Sequence, residues 1–301
     1  MSNPWKIDIH AHASLFASLL PPRPGTAHNY CSGEQVLAFY DKLDIEKGVL
    51  LPILSPEGCI TTMSNEECKT IADQYPNRFL WFCNVDPRSM DNHTSSNLSH
   101  TLEHYQKLGA RGVGEVTSNI YTDDPKMQNL WAHCQMNGMP LLFHLSPKIG
   151  FNYGMVDDLG LPRLEKMLKK FPRLKVIGHS QPFWAEMSAD LKESERNAYP
   201  RGKVTPGRLV QLLRECENLY CDLSAGSGAN ALTRDAEHAA LFLTEFQDRI
   251  LYGCDICAPD NTHPFPFRDF LDNLKASGAI SETVYRKVCR DNAAKLLSLD
   301  N

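Results

Sequence analysis

The stretch "IDIHAHAS", Ile7 to Ser14, carries one acidic and two imidazole side chains at alternate positions of an otherwise apolar segment. Successive side chains of a β-strand point to opposite faces, so Asp8, His10 and His12 would share one face and leave the other apolar. The pattern alone does not distinguish an ordinary surface strand from a metal site. Which of the two applies depends on whether the rest of the chain contains further groups that could bind a metal together with these histidines.

The composition is that of an ordinary globular protein, with 301 residues, 42% of them hydrophobic and 22% charged. A formal net charge of −5 argues against nucleic acid and against an anionic membrane surface as partners. No run of about 18 apolar residues predicts a membrane span, and the polar residues of the first segment argue against a signal peptide. The ten cysteines are scattered, which favours reduced thiols and a cytoplasmic location.

Eight short apolar segments predict β-strands. Their spacing is typical of βα units, and their near-continuous apolar character favours strands that are covered on both faces. The predicted strands span 5–12, 47–53, 79–85, 110–116, 140–146, 174–180, 218–224 and 249–255.

Helix signals lie between these segments. Ser64 and Glu67 match a capping box, and Asp124 before Pro125 is a second start signal, for a helix that ends at Gly138. Further starts or helices are predicted at 161–171, 205–206, 234–246 and 281–299.

Eight strands that alternate with helices predict an α/β fold, most economically a single (β/α)8 TIM barrel, regular or distorted, over residues 1–301. A doubly wound sheet is the alternative. Long loops follow several strands, at 13–32, 181–204, 224–233 and 256–267. In a barrel these loops lie on the carboxyl-end face, where active sites are built.

Further groups that can bind metal or transfer protons stand near the carboxyl ends of predicted strands. Glu115 ends the fourth strand, His144 and His179 lie near the ends of the fifth and sixth, and Asp255 ends the eighth. Each residue alone has an ordinary explanation as a core histidine, a helix cap or an ion-pair partner. In a barrel, however, these strand ends converge, and burying so many ionisable groups together without a metal would be costly. The set therefore favours a metal site.

With these residues the chain resembles the amidohydrolase superfamily, and within it the amidohydrolase-related (amidohydrolase 2) branch of TIM-barrel metal-dependent hydrolases. The resemblance covers essentially the whole chain, in order. It rests on "DIHAH" at 8–12, His144, "GHSQPFW" at 178–184, "GCD" at 253–255 and the final "DNAAKLL" at 291–297. Motifs distributed in this way identify a family better than they identify a substrate.

The resemblance implies a role for each matching residue. His10, His12 and His144 would bind a divalent metal ion, with zinc as the expected metal and manganese as the alternative. Asp255 would contact the metal and act as the catalytic base for water. His179 would ligate a second ion, or in one-metal members would polarise the substrate or help to activate water.

Glu115 decides between one metal ion and two. Two-metal members of the superfamily commonly bridge their ions with a carboxylated lysine on the fourth strand, whereas the TatD-like nuclease branch has a glutamate there that contacts metal. Glu115 is therefore either a metal ligand, in a site with one ion or two, or a carboxylate that orients a histidine ligand. The chain has no basic stripe to hold phosphates, so this likeness does not predict a nuclease.

The long loops offer weaker candidates for substrate recognition, for which ordinary loop packing is the alternative: Trp184, Tyr153, Arg201 and His263. Asp8 shares a face with the first two histidines and could support them. Asp222, near the end of the seventh predicted strand, could reach the same site or cap the loop that follows it.

The resemblance implies a hydrolase that uses a metal-activated water to cleave a C–O or C–N bond of a small molecule such as a lactone, ester or amide. The alternative is a non-hydrolytic, metal-dependent decarboxylase of an aromatic or enoic acid, because the same branch contains such enzymes. A barrel that has lost catalysis and only binds ranks below both, since every principal position carries a competent group. The sequence does not reveal the oligomeric state, although related barrels often form dimers and a homodimer is one candidate.

Overall fold

The computed structural model describes residues 4–23, 26–57 and 61–299, in which parallel strands alternate with helices. The strands are β1 Lys6–Ala11, β2 Ile45–Leu50, β3 Phe79–Trp81, β4 Val113–Val116, β5 Leu141–Ser146, β6 Met155–Val156, β7 Val176–His179, β8 Leu219–Asp222 and β9 Ile250–Leu251. The helices are α1 Gly33–Leu43, α2 Asn65–Gln74, α3 Ser99–Lys107, α4 Pro125–Met136, α5 Pro162–Lys170, α6 Gln181–Ala185, α7 Arg208–Glu215, α8 Ala225–Thr233, α9 Ala236–Glu245, α10 Pro264–Ala276, α11 Glu282–Arg286 and α12 Asn292–Leu296.

The chain divides into two compact units. The first comprises Met1–Pro52, Met63–Phe82 and Asp222–Asn301, and the second comprises Ile53–Thr62 and Cys83–Cys221. That residues 1–301 form a single domain stays a prediction. Within the described ranges, no helix is long and apolar enough to cross a bilayer.

The first unit contains a parallel sheet in the order β1-β2-β3. β1 is buried along its whole length, as expected for a strand that is covered on both faces. The chain that follows β9 runs beside β1, where the Ile9 amide donates to Tyr252 O (3.0 Å) and the His12 amide donates to Ile256 O (2.9 Å). The carboxyl end of β1 therefore lies next to the segment that carries Asp255.

The second unit contains β4, β5, β7 and the first part of β8 as parallel neighbours in that order, with the short β6 paired to β5. The β5–β7 register aligns His144 with His179. Two predicted site residues thus occupy equivalent positions on adjacent strands, at the same end of the sheet.

Several local predictions are confirmed. Ser64 and Glu67 form a complete capping box at the start of α2, in which each side chain accepts the other residue's backbone N–H. Asp124 caps α4 by accepting the Lys126 amide (2.8 Å), with proline at the first helical position. The eight predicted strands are all present with boundaries that differ by a few residues, β2 starting at Ile45 and ending at Leu50.

The prediction of a loop over 224–233 is wrong, because this glycine- and serine-rich segment forms α8. Two glycines lower the helix propensity of the sequence, which favours the loop prediction. They also permit close packing: a Cβ at Gly228 would lie 2.3 Å from Leu223 O. The close approach of α8 to the Leu223 backbone therefore requires glycine at 228, although glycine has a low helix propensity.

Two helix boundaries and one short strand also differ from prediction. The start signal at 205–206 is wrong: α7 begins at Arg208 because Pro206 lies in an extended segment that bridges to Ser188. The final helix ends at 296 rather than 299 and is interrupted by a π-helical turn, Lys287–Asp291. The two-residue strand β6 was not predicted, because it is too short to leave a periodic pattern.

Asp157 gives the second unit an expected pH dependence. Its carboxylate accepts the amides of Leu164 (2.7 Å) and Arg163 (3.1 Å) at the start of α5, while burial raises its pKa to about 6. The pKa of Asp157 is therefore higher in the folded than in the unfolded protein, so protonation of this side chain stabilises the fold. That contribution to the free energy of unfolding is fully present below the unfolded pKa and is lost as the pH rises through about 6.

The Asp157→Asn variant should therefore lose part of this pH dependence. Relative to the variant, the wild type is expected to lose roughly 1 kcal/mol of unfolding free energy between pH 5 and pH 8. Urea unfolding of both proteins at the two pH values measures the difference. Equal losses in wild type and variant would contradict the assignment.

Candidate metal-binding clusters

His10 and His12 lie at the carboxyl end of β1 with their side chains on the same face, as predicted. Both are buried, at 0% and 3% exposure, and their Nε2 atoms are 3.0 Å apart. His12 Nδ1 lies 2.9 Å from Leu51 O, and His10 Nδ1 lies 2.7 Å from Asp222 Oδ2. A carbonyl or a carboxylate can only accept, so in each ring the proton is assigned to Nδ1 and the Nε2 lone pair is left for a ligand.

Asp255 joins this pair within the first unit. Its Oδ1 lies 3.6 Å from the Nε2 of His10 and 3.6 Å from the Nε2 of His12, and its side chain is 24% exposed. The backbone of Asp255 is left-handed, with φ 54°, and its amide donates to His10 O at 2.8 Å. This backbone hydrogen bond holds the Asp255 main chain beside the strand that carries His10.

The donor set of His10, His12 and Asp255 fits a divalent metal ion. Two lone pairs that face each other, with a carboxylate at equal distance from both, repel one another unless a cation lies among them. Ligand atoms at about 2.0–2.1 Å from a tetrahedral zinc ion are about 3.3 Å apart, close to the separations found here. The separations of these three ligand atoms therefore suit a divalent metal ion.

A second cluster lies within the second unit and contains Glu115, His144 and His179. These residues are buried, at 4%, 7% and 2% exposure, and each offers a ligand atom within 4.8 Å of the others. The rings of His144 and His179 meet edge to face with centroids 5.3 Å apart. The cluster contains the donor types that divalent transition metals prefer.

Glu115 directly contacts a histidine of this cluster. Its Oε1 lies 2.9 Å from His144 Nδ1, which assigns the proton to Nδ1 and leaves Nε2 as the ligand atom of His144. This contact is the one expected of a carboxylate that orients a histidine ligand. Glu115 also offers a ligand atom within 4.8 Å of those of His144 and His179, so the geometry suits its role as a ligand as well.

The weaker candidates occupy varied positions. The Tyr153 ring lies 4.5 Å from the ring of His144, so it borders the second cluster. Trp184 is buried at 2% exposure and packs against Phe183, whereas Arg201 is exposed. His263 Nε2 lies 2.6 Å from Cys254 O in the first unit.

Asp8 supports the backbone of the first cluster rather than its imidazoles. Its Oδ1 accepts the amides of His10 (3.0 Å) and Cys254 (2.8 Å), and its Oδ2 accepts the Tyr40 hydroxyl (2.8 Å). Burial raises the pKa of Asp8 to about 7, although these hydrogen bonds act in the opposite direction. Asp8 thereby connects the two backbone segments that carry the histidines and Asp255.

Asp222 contacts the first cluster directly, through His10. It is fully buried, and besides His10 its Oδ2 accepts the hydroxyl of Ser224 at 2.8 Å. The only sequence signal for this role was its place at the end of a predicted strand. A carboxylate on the remote nitrogen of a metal-binding histidine fixes the ring orientation and tautomer.

The Asp222→Asn variant is expected to bind metal about 10- to 100-fold more weakly, because the charge that holds the His10 tautomer is lost. Competition against a chromophoric chelator measures the affinity. Asp235→Asn is the matched control, since Asp235 is also buried and caps α9, away from the His10–Asp222 contact. Equal metal affinity in Asp222→Asn and the control would show that Asp222 has no part in metal binding.

Comparisons with known proteins place these residues in a family context. A family model described as Amidohydrolase matches residues 57–299, a range that contains the second cluster and Asp255 but begins after β1. No curated protein matches the chain.

Solved structures match the chain along its length. A protein predicted to be a 2-pyrone-4,6-dicarboxylic acid hydrolase, from Pseudomonas putida, is 15% identical, with 100% of both chains covered and a TM-score of 0.64. An uncharacterised TIM-barrel protein from Bordetella bronchiseptica is 18% identical, with 97% of this chain and 98% of that chain covered and a TM-score of 0.61. A dihydroxybenzoic acid decarboxylase from Polaromonas, with bound manganese and an inhibitor, is 16% identical, with 100% and 98% covered and a TM-score of 0.59. At these identities the likeness shows the fold alone, and it confirms the predicted (β/α)8 class.

Proposed function

Because this chain belongs to the amidohydrolase family, we propose that it is a metal-dependent hydrolase that cleaves a C–O or C–N bond of a small molecule such as a lactone, ester or amide. The observation that carries the proposal is the placement of Asp255, whose carboxylate lies 3.6 Å from the Nε2 atoms of both His10 and His12. A proton acceptor beside two imidazole lone pairs is the arrangement that metal-assisted hydrolysis requires. Each of the two clusters supplies metal ligands in this proposal.

Asp255 is the general base of the proposed reaction. A bound divalent metal ion would supply Lewis acidity, which makes water acidic enough to lose a proton near neutral pH. The Asp255 carboxylate is partly exposed, and the hydrogen bond from the Asp255 backbone amide to His10 O positions its residue. In the proposed reaction this carboxylate accepts that proton and returns it to the leaving group.

The histidines would hold the metal ion in the proposed reaction. His10 and His12 present their Nε2 atoms because Asp222 and Leu51 O fix the opposite nitrogens. In the second cluster, His144 is held by Glu115, and His179 either binds metal or polarises the substrate.

Zinc is the proposed metal, and manganese is the alternative. Imidazole nitrogen with carboxylate oxygen suits zinc well and also accepts manganese. The Polaromonas decarboxylase with bound manganese supports the alternative. A cytoplasmic location, a small-molecule substrate and a homodimer stay predictions.

Decarboxylation is a second candidate that one contact favours. A decarboxylase has little need of a second metal ion. Glu115 Oε1 lies 2.9 Å from His144 Nδ1, a contact that suits a carboxylate that orients a histidine and does not require Glu115 to bridge two ions. The Polaromonas relative is described as a decarboxylase, whereas the Pseudomonas relative is predicted to be a hydrolase.

Product analysis separates the two reactions. Purified, metal-loaded protein is incubated with a panel of lactones, esters and amides, and separately with aromatic and enoic acids while carbon dioxide release is followed. We expect hydrolysis in the first panel, and we expect Asp255→Asn to lower kcat/KM for it by about 10²- to 10⁴-fold. Carbon dioxide release without any hydrolysis would contradict the hydrolase proposal and support the decarboxylase. A protein that binds no metal and turns over no compound of either panel would contradict both proposals.

A further inference from the structure

The second unit contains a cavity of about 260 Å³ between the turn before α5, the segment after α6 and the start of α7. None of the described residues that line it belongs to either metal-binding cluster. Its walls are tied together by backbone hydrogen bonds, from the Gly207 amide to Met187 O (2.8 Å) and from the Leu209 amide to Glu186 O (2.9 Å). A pocket for a drug-sized ligand measures about 300–1,000 Å³, so this cavity suits a smaller compound.

One wall of the cavity carries the buried carboxylate of Glu186, which is 3% exposed. Its Oε1 accepts the Gly160 amide at 2.7 Å. Among the residues that the structure describes, Oε2 has no hydrogen-bond partner, and no cationic side chain lies within ion-pair distance of the carboxylate. Buried carboxylates are ordinarily paired, because removing the charge from water is costly without a compensating group. Glu186 therefore offers an unused acceptor to the cavity.

An arginine lines the same cavity but does not pair with Glu186. Arg208 pairs instead with Glu165 (2.7 Å) and Glu215 (3.5 Å). Its Nε donates to Gly160 O at 3.3 Å. Burial raises the pKa of Glu186, although its hydrogen bond and the nearby arginines act in the opposite direction. The cavity thus contains an acidic group whose charge no described residue neutralises at close range.

The remaining lining suits a short aliphatic chain. Leu159, which is 42% exposed, Leu191 and Ala189 line the cavity together with Glu186. An alkyl group that covers these side chains would remove apolar surface from water, which is favourable by about 25 cal/mol per Å². An anion is disfavoured, because Glu186 repels it and the Arg208 guanidinium is already engaged by carboxylates.

We propose that this cavity binds a small primary ammonium compound, at a site outside both metal-binding clusters. The ammonium group donates to Glu186 Oε2, and the alkyl chain lies along Leu159 and Leu191. An ammonium group has three N–H donors and a compact charge, so one carboxylate is a sufficient partner. A divalent metal ion would need more oxygen ligands than this carboxylate supplies. The site does not depend on which reaction the protein catalyses.

The test uses n-butylammonium chloride and its neutral counterpart butan-1-ol as probes, with zinc-loaded protein and ligand-observed NMR titration. The proteins are the wild type, Glu186→Gln, Ala189→Trp and the control Glu103→Gln, which removes an exposed carboxylate on α3 of the same unit. Glu186→Gln keeps the size of the side chain and an oxygen for the Gly160 amide. Ala189→Trp adds an indole to the cavity at an exposed position. The thermal midpoint is measured on each preparation.

The wild type is expected to bind n-butylammonium more tightly than butan-1-ol, and Glu186→Gln should lose about 10- to 100-fold in n-butylammonium affinity. Ala189→Trp should also bind n-butylammonium more weakly, because the indole occupies the space of the alkyl chain, and Glu103→Gln should behave as the wild type. A wild type that does not bind n-butylammonium, or that binds both probes equally, would overturn the inference, and so would unchanged affinity in Glu186→Gln. If Glu186→Gln does not fold, Ala189→Trp decides, and unchanged affinity in that variant would overturn the inference.

Discussion

Replacing Asp255 with asparagine is expected to lower kcat/KM by about 10²- to 10⁴-fold, the usual contribution of a positioned general base. Asparagine keeps the size of the side chain and one oxygen that can face a metal ion, but it cannot accept the proton. Steady-state kinetics at saturating metal, on the best substrate of the panel, measure the effect.

Asp260→Asn is the control for this prediction. Asp260 lies in the same loop, with a side chain that is 45% exposed, and it is 4.0 Å from the Nε2 of His28 rather than next to the His10–His12 pair. It should retain full activity. If Asp255→Asn kept more than about a tenth of the wild-type activity, another group would have to be the base.

Removing the metal is expected to abolish activity and to lower the thermal midpoint. Metal at 100 times its Kd contributes about 2.7 kcal/mol to the free energy of unfolding, which corresponds to a shift of about 4 °C in the thermal midpoint for a chain of this size. Dialysis against a chelator, followed by addition of zinc or manganese, should first remove and then restore both properties.

The His10→Ala, His12→Ala double variant provides the control for chelation, since it lacks the histidines of the first cluster. We expect its thermal midpoint to respond less to the chelator than that of the wild type. If the wild type keeps its activity and midpoint through exhaustive chelation, the metal-dependent mechanism is wrong.

Much of this arrangement was predictable because strand periodicity and strand ends carry strong signals. The alternation in β1 assigned His10 and His12 to one face, and the apolar segments placed Asp255, His144 and His179 at carboxyl ends. The structure agrees for the histidines because parallel strands buried on both faces leave little freedom in register. β9 ends at Leu251, so Asp255 lies in the segment that follows the strand rather than at its end.

The contacts that sequence could not supply are those made between distant segments. Asp222 reaches His10 across 212 positions of the chain, and nothing in the local sequence distinguishes that contact from a turn. α8 was missed because its glycines serve close packing against Leu223 O rather than flexibility.

The central claim, that this chain binds catalytic metal through its buried histidines, is tested most directly by metal content per chain. Elemental analysis is applied to the wild type, His12→Ala and the control His93→Ala, whose histidine lies in an exposed loop. All three are purified identically and equilibrated with zinc. We expect one or two metal ions per chain in the wild type and in His93→Ala, and a clear loss in His12→Ala. A wild type without bound metal, or a His12→Ala variant that keeps its full complement, would contradict it.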